Sequence, residues 1–293
     1  MKEYAAAGSG AGTLGPMRSD VASLPGSPER PNEDWVSAAL PGAGGGGTVV
    51  LLDGVTPPAG DDGCVHGVPW FTARLGGALT ELSASRPDMP LSEILSRAIR
   101  RTADAHRQTC DLSHMRTPQA TVVLARWDEA SVEHLVLSDS ALLLEEPDGT
   151  VQAVLDDRLD RVPDAVRRSL EATDRLRNRE GGFFTAAADP AVAERAITGT
   201  TPRARVRALA ALTDGASRWV ELFGAGDWTA CLGVLRDEGA AGLLRRVRDL
   251  EAADARAGGT HRWKRHDDAT AAYVELGTPG QDPSGGPGPR PRP

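Results

Sequence analysis

Acidic residues recur at the ends of apolar segments in this 293-residue chain. A carboxylate at the edge of a buried strand is costly unless it is paired, hydrogen-bonded or bound to a metal. Carboxylates, backbone carbonyls and waters are the ligands that Mg²⁺ and Mn²⁺ prefer. Four carboxylates share this setting: Asp34 before a short apolar segment, Asp53 and Asp214 after apolar runs, and Asp267 before the last apolar run.

A glycine follows two of these aspartates, in the pairs Asp53-Gly54 and Asp214-Gly215. Because glycine has no side chain, a ligand and the backbone can approach each other closely at such a position. The alternative for any single Asp-Gly pair is an ordinary turn. We interpret the third pair, Asp148-Gly149, as a hairpin turn because it joins two predicted strands.

Hydrophobic periodicity predicts the elements that position these carboxylates. The predicted strands mostly follow one another in hairpin-like runs, and the predicted helices come in pairs. This order favours a layered α+β fold over a parallel sheet built from alternating strands and helices. The predicted strands are 48–52, 120–125, 132–137, 141–145, 151–155, 206–212 and 270–276, and the predicted helices are 68–82, 92–106, 164–177, 191–197, 228–235 and 241–255.

Composition excludes several classes of protein. The net charge of -8 argues against a nucleic-acid binder that works by neutralising phosphates. No apolar run approaches the length of a membrane span, so we expect no membrane association. The 3 cysteines are widely spaced and contain no Cys-x-x-Cys pair, which argues against a disulfide framework or a zinc site. We expect a cytoplasmic protein that is a monomer.

Glycine and proline concentrate near the two ends of the chain and in the segment 41–47. The last stretch has no apolar periodicity and too little hydrophobic surface to offset the entropy of ordering. The sequence therefore predicts a flexible segment over 1–27, one domain over 28–276 and a disordered tail over 277–293.

A set of short motifs follows the strand-end carboxylates in a definite order. In chain order these motifs are Asn32-Glu33-Asp34, Val50-Leu51-Leu52-Asp53-Gly54, the threonine-containing strand 117–125, Leu137-Ser138-Asp139-Ser140, Leu212-Thr213-Asp214-Gly215 and Asp267-Asp268-Ala269-Thr270. Their order resembles that of the metal-dependent protein phosphatases of the PP2C type, and the chain looks like a divergent bacterial member. The resemblance covers about residues 27–276.

The resemblance implies an α-β-β-α sandwich, in which two antiparallel sheets are flanked by helix pairs. It also implies two Mg²⁺ or Mn²⁺ ions at one end of the sandwich, where a water held by the metals attacks phosphoserine or phosphothreonine of a phosphoprotein substrate. No phosphoenzyme is then needed. The implied ligands are Asp53 bridging both metals, Gly54 through its carbonyl oxygen, Asp214 and Asp267 on one metal, and Asp34 with Glu33 on the other through water.

The chain departs from the family pattern at two catalytic positions. The family has a histidine after the glycine of the second motif, and this chain has Val55. We expect His66 nearby to protonate the leaving oxygen; the alternative is a structural loop histidine. Arg30 lies one residue later than the family's phosphate-binding arginine, and we expect it to take that role if the loop absorbs the shift.

Two ligand motifs also differ. The glycine and the arginine of the family's turn motif are missing around Asp139, which we interpret as a residue that shapes the turn, with outer metal ligation as the alternative. Asp268 stands where the family has asparagine. It either adds a negative charge beside the metals or is itself the ligand.

We therefore expect a metal-dependent serine/threonine phosphatase. The missing histidine and the shifted arginine support an alternative, a PP2C-like pseudophosphatase or regulatory binding module with weak or no catalysis. A metal hydrolase acting on small phosphate esters is a third interpretation of the same residues.

Overall fold

The computed structural model describes residues 17–40, 46–256 and 265–277. Over these residues the strands form two five-stranded antiparallel sheets. The strands are β1 (Arg18–Leu24), β2 (Trp35–Ala39), β3 (Gly47–Leu52), β4 (Val122–Trp127), β5 (Ser131–Leu137), β6 (Ala141–Glu145), β7 (Val151–Val154), β8 (Ile197–Pro202), β9 (Ala208–Leu212) and β10 (Ala269–Glu275). One sheet has the order β1-β10-β9-β6-β7 and the other the order β2-β3-β4-β5-β8.

Four helices cover the outer faces of the two sheets: α1 (Val68–Ser85), α2 (Leu91–His106), α5 (Asp214–Glu221) and α6 (Trp228–Arg256). Two short helices, α3 (Asp164–Arg167) and α4 (Leu170–Leu176), lie between β7 and β8 in the chain and have no buried residues. Apolar residues of α1 and α2 pack against the sheet that contains β3 and β4, and those of α5 and α6 pack against the sheet that contains β9 and β10. None of these helices is long and apolar enough to cross a membrane.

The inner faces of the two sheets pack against each other in a third apolar cluster. Leu51 and Val123 of one sheet and Leu209 and Val274 of the other belong to this cluster, and all four are fully buried. A strand that is covered on both faces has a continuous apolar run in its sequence, which is why β3, β6 and β9 are recognisable there. The result is the α-β-β-α sandwich, and the predicted fold class is confirmed.

The structure differs from the sequence prediction at the amino-terminal side. The predicted flexible segment 1–27 is wrong over Arg18–Leu24, which form β1 and pair with β10 along their whole length. Alternate residues of this strand are half-buried and exposed, as expected for an edge strand with one face on α6. Residues 1–16 and 278–293 lie outside the described residues, so the proposed tails stay predictions.

Four helix predictions also change. The region 164–177 contains two short helices, and 191–197 is a 3₁₀ turn (Pro190–Arg195) that leads into β8. The regions 228–235 and 241–255 belong to α6, which is interrupted at Gly239, where φ is 76°. This φ lies in the left-handed region, which glycine adopts without strain.

Candidate metal centre

The carboxylates predicted at strand ends lie at one end of the sandwich. In one sheet Trp35 pairs with Leu52, so the residue before β2 and the residue after β3 share an edge. In the other sheet Leu212 pairs with both Ala141 and Ala271, so β6 and β10 begin where β9 ends. Antiparallel pairing thus brings together the strand ends beside which five aspartates lie: Asp34, Asp53, Asp139, Asp214 and Asp267.

Asp34 joins the two sheets at this end. Its Oδ2 accepts hydrogen bonds from the hydroxyls of Thr270 at 2.7 Å and Thr213 at 3.1 Å. Its Oδ1 is buried and has no hydrogen-bond partner among the described residues. Burial and the charges of Asp268 and Asp214 raise the pKa of Asp34 to about 8, although the threonine hydroxyls oppose the shift. A buried acceptor without a donor fits an oxygen that faces a cation.

Asp53 lies at the centre of the carboxylates. Burial raises its pKa well above the usual value, and the charges of Asp214, Asp34, Asp267 and Asp139 raise it further. The backbone N–H of Asp214, at the start of α5, donates to Asp53 Oδ2 at 3.3 Å. Four carboxylates therefore lie close enough to Asp53 to disfavour its ionisation. Bound cations would offset this repulsion.

Asp139, in the turn between β5 and β6, is a fifth member of this cluster. Burial raises its pKa to about 7, and the charge of Asp214 adds to the shift. The preceding residue, Ser138, has φ 71°, and its N–H donates to Asp156 Oδ2 at 2.8 Å. The sequence interpretation of Asp139 as a turn residue therefore missed its place beside the other carboxylates.

The backbone at Gly54 lies tightly against the segment before β2. A Cβ at this glycine would lie 2.5 Å from the carbonyl oxygen of Glu33 and 2.4 Å from Val68. The side chain of Glu33 accepts a hydrogen bond from Thr56 at 2.5 Å. No described residue donates a hydrogen bond to the Gly54 carbonyl, since the neighbouring ladder bonds use the carbonyl of Asp53 and the N–H of Val55. That carbonyl oxygen is available to a ligand.

Asp267 and Asp268 have different surroundings. Asp267 Oδ2 accepts a hydrogen bond from the buried Arg218 at 3.0 Å. Both oxygens of Asp268 accept backbone N–H groups at 2.7 Å, one from Gly26 and one from Glu33. Asp268 therefore anchors the chain that leads into β2, whereas one oxygen of Asp267 is paired with Arg218.

The donor set at this end of the sandwich consists of oxygens. Asp34, Asp53 and Asp214 form no ion pair with any residue in the described part of the chain. Oxygen donors with several negative charges fit Mg²⁺ or Mn²⁺. The residues present thus suit the two divalent cations that the sequence motifs imply.

Two arginines differ in their relation to this end of the sandwich. Arg30 is exposed and has no ion pair with any residue that the structure describes. Arg177, which the sequence did not single out, follows α4 and lies with its guanidinium 5.0 Å from the ring of Phe183. Burial lowers the pKa of Arg177, while the charges of Asp174 and Asp139 favour its charged form. No motif marks Arg177, because it lies in a connection of short helices.

Arg177 lines a groove that begins beside Gly54. The groove has a volume of about 60 Å³, and Thr56, Pro57 and Gln119 also line it. Thr56 in this groove is hydrogen-bonded to Glu33, so the groove adjoins the segment that precedes β2.

His66 is placed differently from the sequence expectation. Its Nδ1 lies 3.3 Å from Cys110 Sγ, and its ring stacks on Trp70 with centroids 4.2 Å apart. Cys64 and His106 complete this group. The structure therefore associates His66 with two cysteines and a second histidine, not with the carboxylates.

Comparison with known proteins shows the fold. No family model matches the chain, and no curated protein sequence matches it. Among solved structures, the serine/threonine phosphatase Stp1 from Staphylococcus aureus is 12% identical with a TM-score of 0.60, over 92% of this chain and 99% of that one. The Mycobacterium tuberculosis phosphatase PstP/Ppp is 18% identical with a TM-score of 0.55, over 89% of this chain and 99% of that one.

A further structure, the catalytic domain of PstP in complex with 2 manganese ions, is 18% identical with a TM-score of 0.54, over 89% of this chain and 98% of that one. The match spans nearly the whole of each of these solved chains.

Proposed function

We propose that this chain, which has the fold of the bacterial PP2C-type serine/threonine phosphatases, is a metal-dependent phosphatase that hydrolyses phosphoserine or phosphothreonine in proteins. The observation that carries the proposal is the cluster of four carboxylates around Asp53, in which the buried Oδ1 of Asp34 has no partner among the described residues. Such a cluster is unfavourable as it stands, and divalent cations relieve it.

Different residues of the chain would hold each of two Mn²⁺ or Mg²⁺ ions. Asp53, which has four carboxylates near it, would contact both ions. Asp214 and Asp267 would hold one ion, and Asp34, the Gly54 carbonyl and Glu33 would hold the other. When bound, the two cations supply the Lewis acidity that activates a water and neutralises the phosphoryl charge. We also propose Asp139 as an outer ligand, because it shares the electrostatic surroundings of Asp214.

The threonines hold the first of these ligands in place. Thr213 and Thr270 fix Oδ2 of Asp34, so that Oδ1 is the oxygen left for a cation. The backbone of the two threonines is itself paired, since Thr213 N–H donates to the Thr270 carbonyl at 3.0 Å. Hydrogen bonds of this kind orient a ligand and set its basicity.

We assign to Arg177 the substrate-binding role that the sequence analysis expected for Arg30. It lies in the groove beside Gly54, and its cation has favourable interactions with Asp174 and Asp139. A partly buried guanidinium binds a phosphate dianion through charge-assisted hydrogen bonds. Arg30, exposed and unpaired within the described chain, has no geometry that favours it over Arg177 for this role.

One set of observations favours the second candidate, a PP2C-like module that binds metal and a phosphoprotein without turnover. Val55 stands where the family has its histidine, and His66 is engaged by Cys110. The two candidates share the metal centre and differ in the chemical step.

Manganese-dependent hydrolysis of p-nitrophenyl phosphate and of a phosphothreonine peptide tests the proposal. We expect turnover by the wild type that requires Mn²⁺. Asp53→Asn and Asp214→Asn should each reduce kcat/KM by about 10²-fold or more, because two-metal catalysis contributes several kcal/mol to the barrier. Asp249→Asn, on an exposed position of α6, is the matched control.

The outcomes separate the candidates. Undiminished turnover by Asp53→Asn refutes catalysis at this centre. Wild-type protein that binds Mn²⁺ by calorimetry and hydrolyses neither substrate supports the regulatory module. Wild-type protein that neither binds Mn²⁺ nor hydrolyses phosphate contradicts both.

A further inference from the structure

Four metal-binding side chains converge between the loop that follows β3 and the end of α2. They are Cys64, His66, His106 and Cys110, and one ligand atom from each lies within 4.8 Å of the others. His106 is buried, and the other three are half-buried. None of the four belongs to the carboxylate cluster.

The distances between the ligand atoms match those of a tetrahedral site. Cys64 Sγ lies 3.3 Å from Cys110 Sγ, 3.5 Å from His106 Nδ1 and 3.8 Å from His66 Nδ1. His66 Nδ1 lies 3.3 Å from Cys110 Sγ. A zinc ion with Zn–S bonds of about 2.3 Å and Zn–N bonds of about 2.0 Å separates its tetrahedral ligands by about 3.3–3.8 Å.

The local chain explains why these four atoms meet. His106 ends α2, and the next turn continues in helical fashion, since the Cys110 N–H donates to the His106 carbonyl at 3.0 Å. This spacing of four residues places both side chains on one face. Cys64 and His66 lie two residues apart in the loop, and the His66 N–H donates to Cys64 Sγ at 3.5 Å. Such N–H donors stabilise a thiolate.

An aromatic ring and a backbone hydrogen bond flank the cluster. Trp70, in the first turn of α1, stacks on His66 and lies 5.0 Å from the ring of His106. The Asp111 N–H donates to the Gly63 carbonyl at 2.8 Å, which joins the two segments beside the cysteines. An apolar shell and fixed ligand orientations are features of a built metal site.

We propose that Cys64, His66, His106 and Cys110 hold one zinc ion in a structural site of the Cys₂His₂ type. Four protein ligands complete a tetrahedral shell and leave no open position, which distinguishes structural from catalytic zinc. Thiolate and imidazole ligands select zinc, whereas the oxygens around Asp53 select Mn²⁺ or Mg²⁺. On binding, the two thiols release their protons to solvent and become zinc thiolates.

The zinc site fastens a long connection. Residues 53–67 join β3 to α1 without helix or strand, apart from a single bridge at Gly54. Connections of this length without secondary structure are uncommon within a compact domain. Zinc would tie the far end of this loop to the end of α2, and the near end of the same loop carries Asp53 and Gly54. The site thus supports the edge of the carboxylate centre and gives His66 a structural role.

The spacing of the four ligands explains why the cysteine pattern argued against a zinc site. That expectation depended on the absence of a Cys-x-x-Cys pair, but the ligands alternate as Cys-x-His and His-x₃-Cys, two mixed pairs about 40 residues apart. A ligand search restricted to cysteine spacing does not find such a pattern. Our proposal therefore differs from that expectation.

Metal content of the purified full-length chain, expressed in medium containing zinc and manganese, tests the proposal. Elemental analysis should find one zinc per chain in the wild type and in Cys231→Ala, whose cysteine is a buried core residue of α6. Cys110→Ser and His106→Gln should reduce zinc from about one to about a tenth per chain or less. Asp53→Asn should keep its zinc, which separates this site from the carboxylate centre.

A spectroscopic readout guards against variants that fail to fold. Wild-type protein, stripped of metal and refilled with Co²⁺ alone, should show the thiolate charge-transfer band and the intense visible bands of tetrahedral cobalt. Zinc at trace level in the wild type, a Cys64–Cys110 disulfide in place of metal, or unchanged zinc in folded Cys110→Ser would each overturn the proposal.

Discussion

Replacing Asp34 by asparagine should stabilise the protein in the absence of Mn²⁺ and destabilise it, relative to wild type, when Mn²⁺ is present. The carbonyl oxygen of the introduced asparagine can still accept the hydroxyls of Thr213 and Thr270, which bond a single oxygen of Asp34. The substitution therefore removes a buried negative charge while it keeps the local hydrogen bonds. The substitution also removes the negative charge that would stabilise a bound Mn²⁺.

The magnitude follows from the raised pKa of Asp34. Its pKa rises from 3.8 in the unfolded chain to about 8 in the folded protein, because burial and neighbouring carboxylates disfavour the charge. The folded state therefore holds this proton more tightly, and stability falls as pH rises from 3.8 towards 8. At pH 7 the free energy of unfolding is lower by about 4 kcal/mol for an isolated group, from roughly three pH units at about 1.4 kcal/mol each. Because neighbouring carboxylates titrate together, we expect Asp34→Asn to recover about 2–4 kcal/mol.

Urea unfolding measured from pH 5.5 to 8, with and without saturating Mn²⁺, provides the assay. Without Mn²⁺ the wild type should lose stability as pH rises, and Asp34→Asn should lose less. With Mn²⁺ the wild type should gain more than the variant, so that the order of stability reverses. Asp249→Asn should follow the wild type under both conditions. A loss of stability in metal-free Asp34→Asn at pH 7.5 would rule out this explanation, because the carboxylate would then be stabilising in itself.

Three further substitutions test the contacts around the centre. Gly215→Ala should destabilise the protein by about 1–3 kcal/mol or more in urea unfolding, because its Cβ would lie 1.9 Å from the carbonyl oxygen of Asp268. The control Gly233→Ala, whose Cβ would have nothing nearer than 3.7 Å, should not destabilise the protein. Thr270→Val should raise the Mn²⁺ concentration needed for half-maximal activity by about 10-fold or more, because Asp34 loses its shorter hydroxyl bond, and an unchanged metal requirement would contradict this role. Arg177→Met should raise KM for a phosphothreonine peptide by about 10-fold or more with a smaller change in kcat. An unchanged KM would show that Arg177 does not bind the substrate phosphate.

The strand-end carboxylates could be predicted because local and tertiary signals agree there. β3 and β9 are buried on both faces, so each is a continuous apolar run, and the aspartate after each run marks its end. Periodicity alone does not group these ends, and it was the resemblance of the motif order to the PP2C type that predicted their convergence. The fold class could be predicted from the same features.

Other parts of the site depend on tertiary contacts that leave no local pattern. Asp139 looks like an ordinary turn residue, and only its burial beside Asp214 distinguishes it. Arg177 follows a short helix that has no buried residues of its own, so periodicity cannot place it. The ligands of the proposed zinc site come from two distant segments and mix two residue types. β1 was missed because its strand has an alternating, half-exposed pattern and depends on pairing with β10 for its order.

Anomalous diffraction from Mn²⁺-soaked crystals of the wild-type chain is the sharpest test of the two-metal centre that we place at the carboxylates around Asp53. We expect two manganese peaks at the end of the sandwich, one on each side of the Asp53 carboxylate, with Asp214 and Asp267 facing one peak and the Gly54 carbonyl facing the other. Empty density between these carboxylates at a saturating Mn²⁺ concentration, or manganese bound only elsewhere on the protein, would show that no such centre exists.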